Sequence, residues 1–279
     1  MRRCGVRAFP APRGIVGAAL LATVLALTGC AGPRAVSSVA PSTATPPLRV
    51  GIAPDFPPLA FRQNGAPAGV EVDFARHLDA ALGVKTEFVI TPWDDLIPAL
   101  RQHRIDVIMS GMSITAARKQ QVLFTHPYLR VGQMLLWRRA DAARFRDAKM
   151  IDQPPTRVGF VNHTTGAAYA REHLSRARAS GFDSVEAAAA ALRAQQIDVF
   201  IADAPSIYAL TATSADPQHE LLGRYEPLTE EYLAWAVRLD DTALQVRLNT
   251  VLTAWNADGT LDRVLATWIH VRRQPRPTK

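Results

Sequence analysis

Cysteine is scarce in this chain of 279 residues, which contains only Cys4 and Cys30. Both lie within the first 30 residues, so no disulfide can form in the part that follows. That part must be stabilised by the packing of its core. With 48% hydrophobic residues, a chain of this length can bury a sufficient core in one or two domains.

A long hydrophobic run is missing as well. The most apolar stretch, residues 15–27, is shorter than the roughly 20 residues that a membrane-spanning helix requires. Residues 1–29 contain no acidic residue, and Arg2, Arg3, Arg7 and Arg13 precede the apolar stretch. A basic start, a short apolar core and small residues after it predict an export signal over residues 1–29.

The positive charge of the chain is not concentrated in one patch. The net charge is +7, but the predicted signal and a basic tail at residues 272–279 carry much of it. Because no compact basic patch with interleaved aromatic residues occurs, we expect no binding to nucleic acid. The seven histidines show no paired ligand spacing, so we expect no metal site and no other cofactor.

The first half of the folded region alternates strand and helix patterns. A tether rich in Pro, Ser, Ala and Thr precedes it, and the fold begins at Leu48. The patterns predict strands at 48–52, 86–90 and 105–109 and helices at 69–82 and 93–101, the first ended by Gly83. This βαβαβ order predicts a doubly wound, mostly parallel sheet.

Ligands of such sheets bind beyond the carboxyl ends of the strands. Phe56, Trp93 and residues 110–118 each follow a strand end, so we expect them to converge on one crevice.

Residues 110–118 have the composition of an anion pocket. Small hydroxylated residues and one glycine form a turn, and Thr115 can cap a short helix that holds Arg118 in its first turn. A cation there opposes the helix dipole, and such breaks of a local rule are expected at functional sites. The Arg118 guanidinium with Ser113 and backbone amides would fit a carboxylate. The alternative is an ordinary solvated arginine after a loop.

The second half repeats this organisation. We take the apolar strand at 134–137 as the first crossing to a second lobe, and the strand at 233–237 as the return. Between them, a strand at 157–161 leads into a turn and a helix at 167–174 capped by Thr164 or Thr165, a second helix N-terminus suited to an anion.

A helix at 185–194 and a strand at 197–201 follow in the second lobe, with Asp203 just past the strand end. Helices at 242–255 and 261–269 close the chain, the last one capped by Thr260.

The chain resembles the family 3 periplasmic solute-binding proteins, the amino-acid receptors of ABC importers. The segments that carry the resemblance are LRVGIAPDFPPLAF (48–61), GVEVDFARHL (69–78), residues 93–129 with SGMSITAAR, RVGFVNHTTGAAYA (157–170), IDVFIAD (197–203) and ADGTLDRVLATW (257–268).

The resemblance implies an α/β, two-lobed periplasmic-binding-protein fold of type II with a hinge of two crossing strands. It also implies a monomer. The domains expected are a signal peptide (1–29), a tether (30–47), a first lobe (48–137 and 238–271), a second lobe (138–237) and a basic tail (272–279).

The resemblance also implies roles for single residues. Arg118 is similar in position to the arginine that grips the ligand α-carboxylate, helped by Ser113 and by the Thr165 amide. Ser110, the backbone at Gly111 and, from the other lobe, Asp203 are expected to accept the α-ammonium. Phe56 and Trp93 are expected to sandwich the ligand side chain.

The sequence departs from the family pattern in ways that leave the identity of the ligand open. Ala53 stands where receptors for basic amino acids often carry an acid, His163 replaces a usual glycine, and Gly166 replaces a polar contact. An aromatic sandwich with Asp55 nearby still permits a cationic ligand. His163 is either a ligand contact or a plain turn residue.

The resemblance extends to location and partners. Residues 27–30, Leu-Thr-Gly-Cys, resemble a bacterial lipobox, so Cys30 is expected to carry lipid and to anchor the protein to a bacterial membrane, in the periplasm or at the cell surface. A plain secretory signal is the alternative. The expected partners are a free amino acid and an ABC permease.

Two rival functions remain at this stage. Exported cyclohexadienyl dehydratases are similar to this family, but their catalytic glutamate would fall at Ser206, so we expect no enzymatic activity. A sensor lipoprotein without a transport role is the other alternative.

Overall fold

The computed structural model describes residues 46–145, 147–212 and 221–269. The predicted signal peptide, the lipidation site at Cys30, most of the tether and the basic tail lie outside these residues. No helix in the described ranges combines the length and apolar character that crossing a bilayer requires.

The strands of the described chain are β1 (Leu48–Ile52), β2 (Asp55–Phe56), β3 (Ala60–Gln63), β4 (Ala66–Ala68), β5 (Thr86–Ile90), β6 (Val107–Ile108), β7 (Leu123–Phe124), β8 (Leu129–Val131), β9 (Gln133–Arg138), β10 (Arg157–Val161), β11 (Arg178–Phe182), β12 (Val199–Asp203), β13 (Leu221–Arg224), β14 (Glu231–Leu233) and β15 (Ala236–Val237). The α-helices are α1 (Val70–Leu82), α2 (Leu96–Arg101), α3 (Ala116–Lys119), α4 (Thr165–His173), α5 (Val185–Arg193), α6 (Ala204–Ala212), α7 (Thr242–Ala257) and α8 (Thr260–Trp268).

The first lobe is built on a five-stranded sheet in the order β5-β1-β6-β15-β7. Strand β1 runs parallel to both β5 and β6, while β15 is antiparallel to β6. Helices α1, α7 and α8 pack on one face through a core that contains Phe74, Leu248 and Trp255. Helix α2 covers the other face through Leu96 and Leu100. The predicted doubly wound arrangement is therefore confirmed.

The second lobe has the same design. Its sheet has the order β11-β10-β12-β9-β13, with β10 parallel to β11 and β12. Helices α5 and α6 pack through one core cluster, and α4 packs through another. The carboxyl ends of β10 and β12 therefore lie side by side, which brings the start of α4 next to Asp203.

The position of the first crossing differs from the prediction. Strand β9, which we expected to cross between lobes, lies wholly in the second sheet, where it pairs with β12 and β13. The crossing comes earlier, at β8, which pairs with β14 in a separate two-stranded ribbon. An apolar run predicts a buried strand, but only its hydrogen-bonding partners decide which sheet holds it.

Several local predictions are confirmed and others are corrected. Helix α1 ends at Gly83 in the left-handed region, with φ 63°, and Thr115 caps α3. Helix α3 has only four residues, so Arg118 is also in its last turn and the argument from an opposed dipole is wrong. Helix α8 begins after Gly259, with φ 75°, rather than at a Thr260 cap.

The strands β2–β4, β7, β8, β11 and β13 and the helix α6 were not predicted. The residues 93–95, expected as the first turn of an α-helix, form a 3-10 turn before α2. Short or exposed strands such as β11 lack the apolar alternation on which the prediction relied.

Candidate functional site

Eight of the nine predicted binding residues line one cavity between the lobes, of about 320 Å³. The first lobe contributes Phe56, Trp93, Gly111, Ser113 and Arg118, and the second contributes Thr164, Thr165 and Asp203. The ninth, Ser110, is only 2% exposed. Its hydroxyl accepts a hydrogen bond from the Ala53 amide at 3.0 Å, so it fixes the loop, and its role as a ligand contact stays a prediction.

Arg118 projects its guanidinium into the first-lobe side of the cavity. Its Nη1 donates to the Ser113 carbonyl at 2.9 Å, and its Cζ lies 5.1 Å from the centroid of the Trp93 ring. Burial lowers the pKa of Arg118, whereas the charges of Asp203 and Glu231 raise it. The group remains a cation at neutral pH. It is therefore fixed in place and able to bind an anion.

The hydroxyl of Ser113 donates to Oε2 of Glu231 at 2.8 Å. Ser113 also supports Arg118 through its carbonyl oxygen. Its part in holding a ligand carboxylate stays a prediction.

Asp203 forms the acidic end of the cavity, on the second-lobe side. Its Oδ1 accepts a hydrogen bond from Nε2 of Gln133 at 2.9 Å. The pKa of Asp203 is raised to about 7, chiefly by burial and also by the charge of Glu231, while Gln133 and Arg118 act in the opposite direction. A cation placed against Asp203 would compensate this buried negative charge.

Gln133 connects the polar groups at this end. The same Nε2 also lies 3.0 Å from the Thr165 hydroxyl and 3.2 Å from Oε1 of Glu231. Its Oε1 is buried and accepts no hydrogen bond within the described part of the chain. A Cβ on Gly166 would lie 2.8 Å from that Oε1, so glycine there makes room for Gln133.

The N-terminus of α4 also borders the cavity. The Thr164 hydroxyl accepts from the Ala167 amide at 3.3 Å and donates to the Val161 carbonyl at 2.7 Å. Thr164 is therefore the cap, as one of the two predicted alternatives, and the helix presents its free amide end towards the cleft.

The lining of the cavity also includes aromatic rings and further carboxylates. Phe56 and Trp93 line the cavity together with three aspartates, Asp55, Asp94 and Asp183. The Trp93 indole donates across the cleft to the His163 carbonyl at 3.1 Å, and Nε2 of His163 lies 3.7 Å from Oδ2 of Asp94. His163 thus lines the cleft and also joins the two lobes.

Ser206 lies outside this cavity. It is fully buried, and its hydroxyl donates to the Pro57 carbonyl at 3.1 Å. Like the Trp93–His163 contact, this bond joins second-lobe and first-lobe residues, so the lobes are closed upon each other. No group of three or more His, Cys, Asp or Glu side chains suited to a metal ion occurs among the described residues.

Sequence reasoning missed three polar residues that support the site, namely Glu71, Gln133 and Glu231. Gln133 is a single polar residue at the start of an apolar strand, and this position was the one feature of the sequence that could have indicated its role in the site. Glu231 lies in a charged run that resembles a solvated loop, and Glu71 lies among acidic residues in the first turn of α1.

Glu71 supports the loop of residues 110–118 through the Gly111 amide. Its fully buried carboxylate accepts from the Gly111 amide at 2.6 Å, from the Tyr128 hydroxyl at 2.6 Å and from the Trp235 indole at 3.0 Å. Burial raises the pKa of Glu71 to about 7, against the lowering effect of these three donors.

The raised pKa of Glu71 predicts a pH-dependent stability. The folded state holds this proton more tightly than the unfolded state, so the free energy of unfolding should fall as pH rises from about 4.5 to about 7. The free energy of unfolding, measured with urea, should fall less over this pH range in Glu71→Gln than in the wild type, whatever the absolute stability of the variant. Equal pH slopes in Glu71→Gln and in the exposed control Asp262→Asn would contradict this assignment.

The chain belongs to the bacterial extracellular solute-binding proteins, family 3, whose family model matches residues 48–271. The fold is accordingly that of a two-lobed, type II periplasmic binding protein.

Individual relatives are similar along most of the chain. The ABC transporter arginine-binding protein 1 of Escherichia coli is 28% identical over 238 residues, which cover 81% of this chain and 92% of that protein. A solved binding component of an ABC transporter from Wolinella succinogenes, complexed with lysine, has a TM-score of 0.76 at 31% identity and covers 81% and 97% of the two chains.

An enzyme is also among the relatives. The cyclohexadienyl dehydratase of Pseudomonas aeruginosa is 36% identical over 132 residues, which cover 47% of this chain and 49% of the enzyme.

Proposed function

We propose that this protein is an extracytoplasmic receptor that binds a free amino acid with a cationic side chain and delivers it to an ABC importer. The observation that carries the proposal is the placement of Arg118 and Asp203 on opposite lobes of one cavity. Family membership and the amino-acid-binding relatives support the same class of function.

A zwitterion is complementary to these two ends. Its carboxylate needs a fixed cation and N–H donors, which Arg118 and the start of α4 supply. Its ammonium needs acceptors, which Asp203 and Oε1 of Gln133 supply; that Oε1 accepts no hydrogen bond from the residues that the structure describes. Since the partners belong to different lobes, a bound ligand bridges them and favours the closed arrangement.

The aromatic and acidic lining of the cavity favours a ligand with a positively charged side chain. Phe56 and Trp93 offer ring surfaces for an alkyl stem or a guanidinium. Asp55, Asp94 and Asp183 add three carboxylates there, while Ala53 supplies no charge. Relatives named for arginine and lysine agree with this preference.

We further propose that the mature protein is a monomer held at a bacterial membrane by lipid on Cys30, and that it presents its ligand to a permease. We assign no catalytic activity, because the position expected for a dehydratase general acid is Ser206, whose hydroxyl is engaged by Pro57. Incubation with prephenate or arogenate tests this assignment, and formation of an aromatic product would contradict it.

The ligand class is tested by a thermal-shift screen of the common amino acids. A ligand at about 100 times its Kd stabilises the folded state by about 2.7 kcal/mol, which raises the Tm of a chain of this size by roughly 5–10 °C. We expect shifts of this order for L-arginine and L-lysine and smaller ones for neutral amino acids. No shift with any amino acid would refute the receptor assignment.

A variant tests the proposed contact between Asp55 and the ligand side chain separately. Asp55→Asn should reduce the arginine shift while leaving the shift of any neutral amino acid unchanged. Asp262→Asn, an exposed carboxylate on α8, is the matched control. Equal arginine shifts in the two variants would argue against a role for Asp55 in side-chain recognition.

A further inference from the structure

Glu231 is a buried carboxylate in the ribbon that connects the lobes. It lies in β14, opposite Val131 of β8, and is 9% exposed. The chain passes from β8 into the second-lobe sheet and from β14 towards the first-lobe sheet. A rotation of the lobes about this ribbon would therefore take place around Glu231.

The two oxygens of Glu231 contact residues of opposite lobes. Oε2 accepts from the Ser113 hydroxyl at 2.8 Å. Oε1 accepts from Nε2 of Gln133 at 3.2 Å and from the Thr229 hydroxyl at 2.7 Å. Ser113 in turn holds Arg118, and Gln133 holds Asp203. One carboxylate thus stands between the cationic and the acidic end of the cavity.

We propose that Glu231 is a positioning residue of the binding site, which sets the spacing of Arg118 and Asp203 by holding Ser113 from one lobe and Gln133 from the other. Both contacts are present in this closed arrangement, and their donors come from the loop after β6 and from β9. Glu231 thereby ties the positions of Arg118 and Asp203 to one side chain. This inference rests on the proposed receptor function.

The charge of Glu231 gives a second, separable consequence. The titratable groups that face Asp203 are Arg118 of α3, Glu231 of β14 and the phenol of Tyr128, which directly precedes β8. The negative charge of Glu231 raises the pKa of Asp203, and the positive charge of Arg118 lowers it. Removal of the charge at position 231 should lower the pKa of Asp203, whereas a role in packing alone would leave it unchanged.

The first measurement needs no ligand. The Asp203 carboxyl is titrated by ¹³C NMR in the wild type, in Glu231→Gln and in Glu230→Gln. Glu230 is the matched control, since it is exposed on the same segment and contacts Arg130 and Tyr232. We expect the Asp203 midpoint to move to lower pH in Glu231→Gln only. A folded Glu231→Gln variant with the wild-type midpoint would overturn the proposal.

The second measurement uses L-arginine as the probe in calorimetry. Glu231→Gln and Glu231→Asp should bind it roughly tenfold more weakly, because buried charge-assisted hydrogen bonds are lost or lengthened. Glu230→Gln should match the wild type. If Glu231→Gln does not fold, Glu231→Asp decides, since it keeps the charge and shortens the reach.

The two failures are distinguishable. If the wild type binds neither L-arginine nor another amino acid, the receptor function fails, and the NMR titration still decides whether Glu231 acts on Asp203. If the wild type binds and Glu231→Asp binds equally well, the receptor stands and the positioning role of Glu231 is refuted.

Discussion

Replacement of Arg118 by alanine is expected to cause the largest loss of amino-acid affinity in calorimetry. The guanidinium is fixed by the Ser113 carbonyl and by the Trp93 ring, so it meets a carboxylate without being reordered. Truncation of one partner in a buried, hydrogen-bonded charge pair costs about 2–5 kcal/mol, so affinity should fall roughly 30-fold to several thousand-fold. Arg118→Lys should be intermediate, because it keeps the charge and loses the planar fork.

The fold should survive this change. Arg118 is partly exposed in a four-residue helix, and its side chain makes one hydrogen bond to the Ser113 carbonyl. We therefore expect the Tm of ligand-free Arg118→Ala to stay within a few degrees of wild type. Lys119→Ala, the exposed neighbour in the same helix, should bind like the wild type. Undiminished affinity in a folded Arg118→Ala protein would refute the carboxylate site.

The replacement Asp203→Asn is expected to have the second largest effect, about 10–100-fold weaker binding at pH 8. The amide keeps the size of the side chain but removes the negative charge that compensates a ligand ammonium. Lost charge complementarity in a buried site is only partly replaced by a neutral hydrogen bond.

The same variant should also change the pH dependence of binding. The pKa of Asp203 is raised to about 7, and the ionised form is the one that pairs with an ammonium. Wild-type affinity should therefore fall below pH 7, by up to about tenfold per pH unit for one linked proton. In Asp203→Asn this dependence should disappear, while Asp240→Asn, an exposed control, should retain it. A pH-independent wild type would contradict the ammonium assignment.

Much of the fold could be predicted because its signals are local. The spacing of Val70, Phe74 and Leu78 predicts the α1 helix, and Gly83 predicts where it ends. The strands β1, β5 and β10 are short apolar runs between turn residues, and the βαβ order then fixes parallel pairing. The sheet to which β9 belongs could not be predicted, because a buried strand has the same apolar pattern in either lobe.

The convergence of the cavity-lining residues was predicted in the same way. Phe56, Trp93 and Arg118 come after strand ends, and strand ends of a parallel sheet meet at one edge. Ser110 and Ser113 come from the same loop, yet their hydroxyls face Ala53 and Glu231 instead. The direction of a side chain within a loop depends on backbone torsions that composition does not report.

The sequence by itself determined the alternation of strands and helices in two lobes, because periodicity and strand ends are properties of short segments, and the resemblance to the family predicted that Arg118 and Asp203 meet at one cleft. Only the tertiary structure decided which polar groups support that cleft. Glu71, Gln133 and Glu231 are far apart along the chain from the residues they hold, and such long-range pairings leave no trace in local pattern.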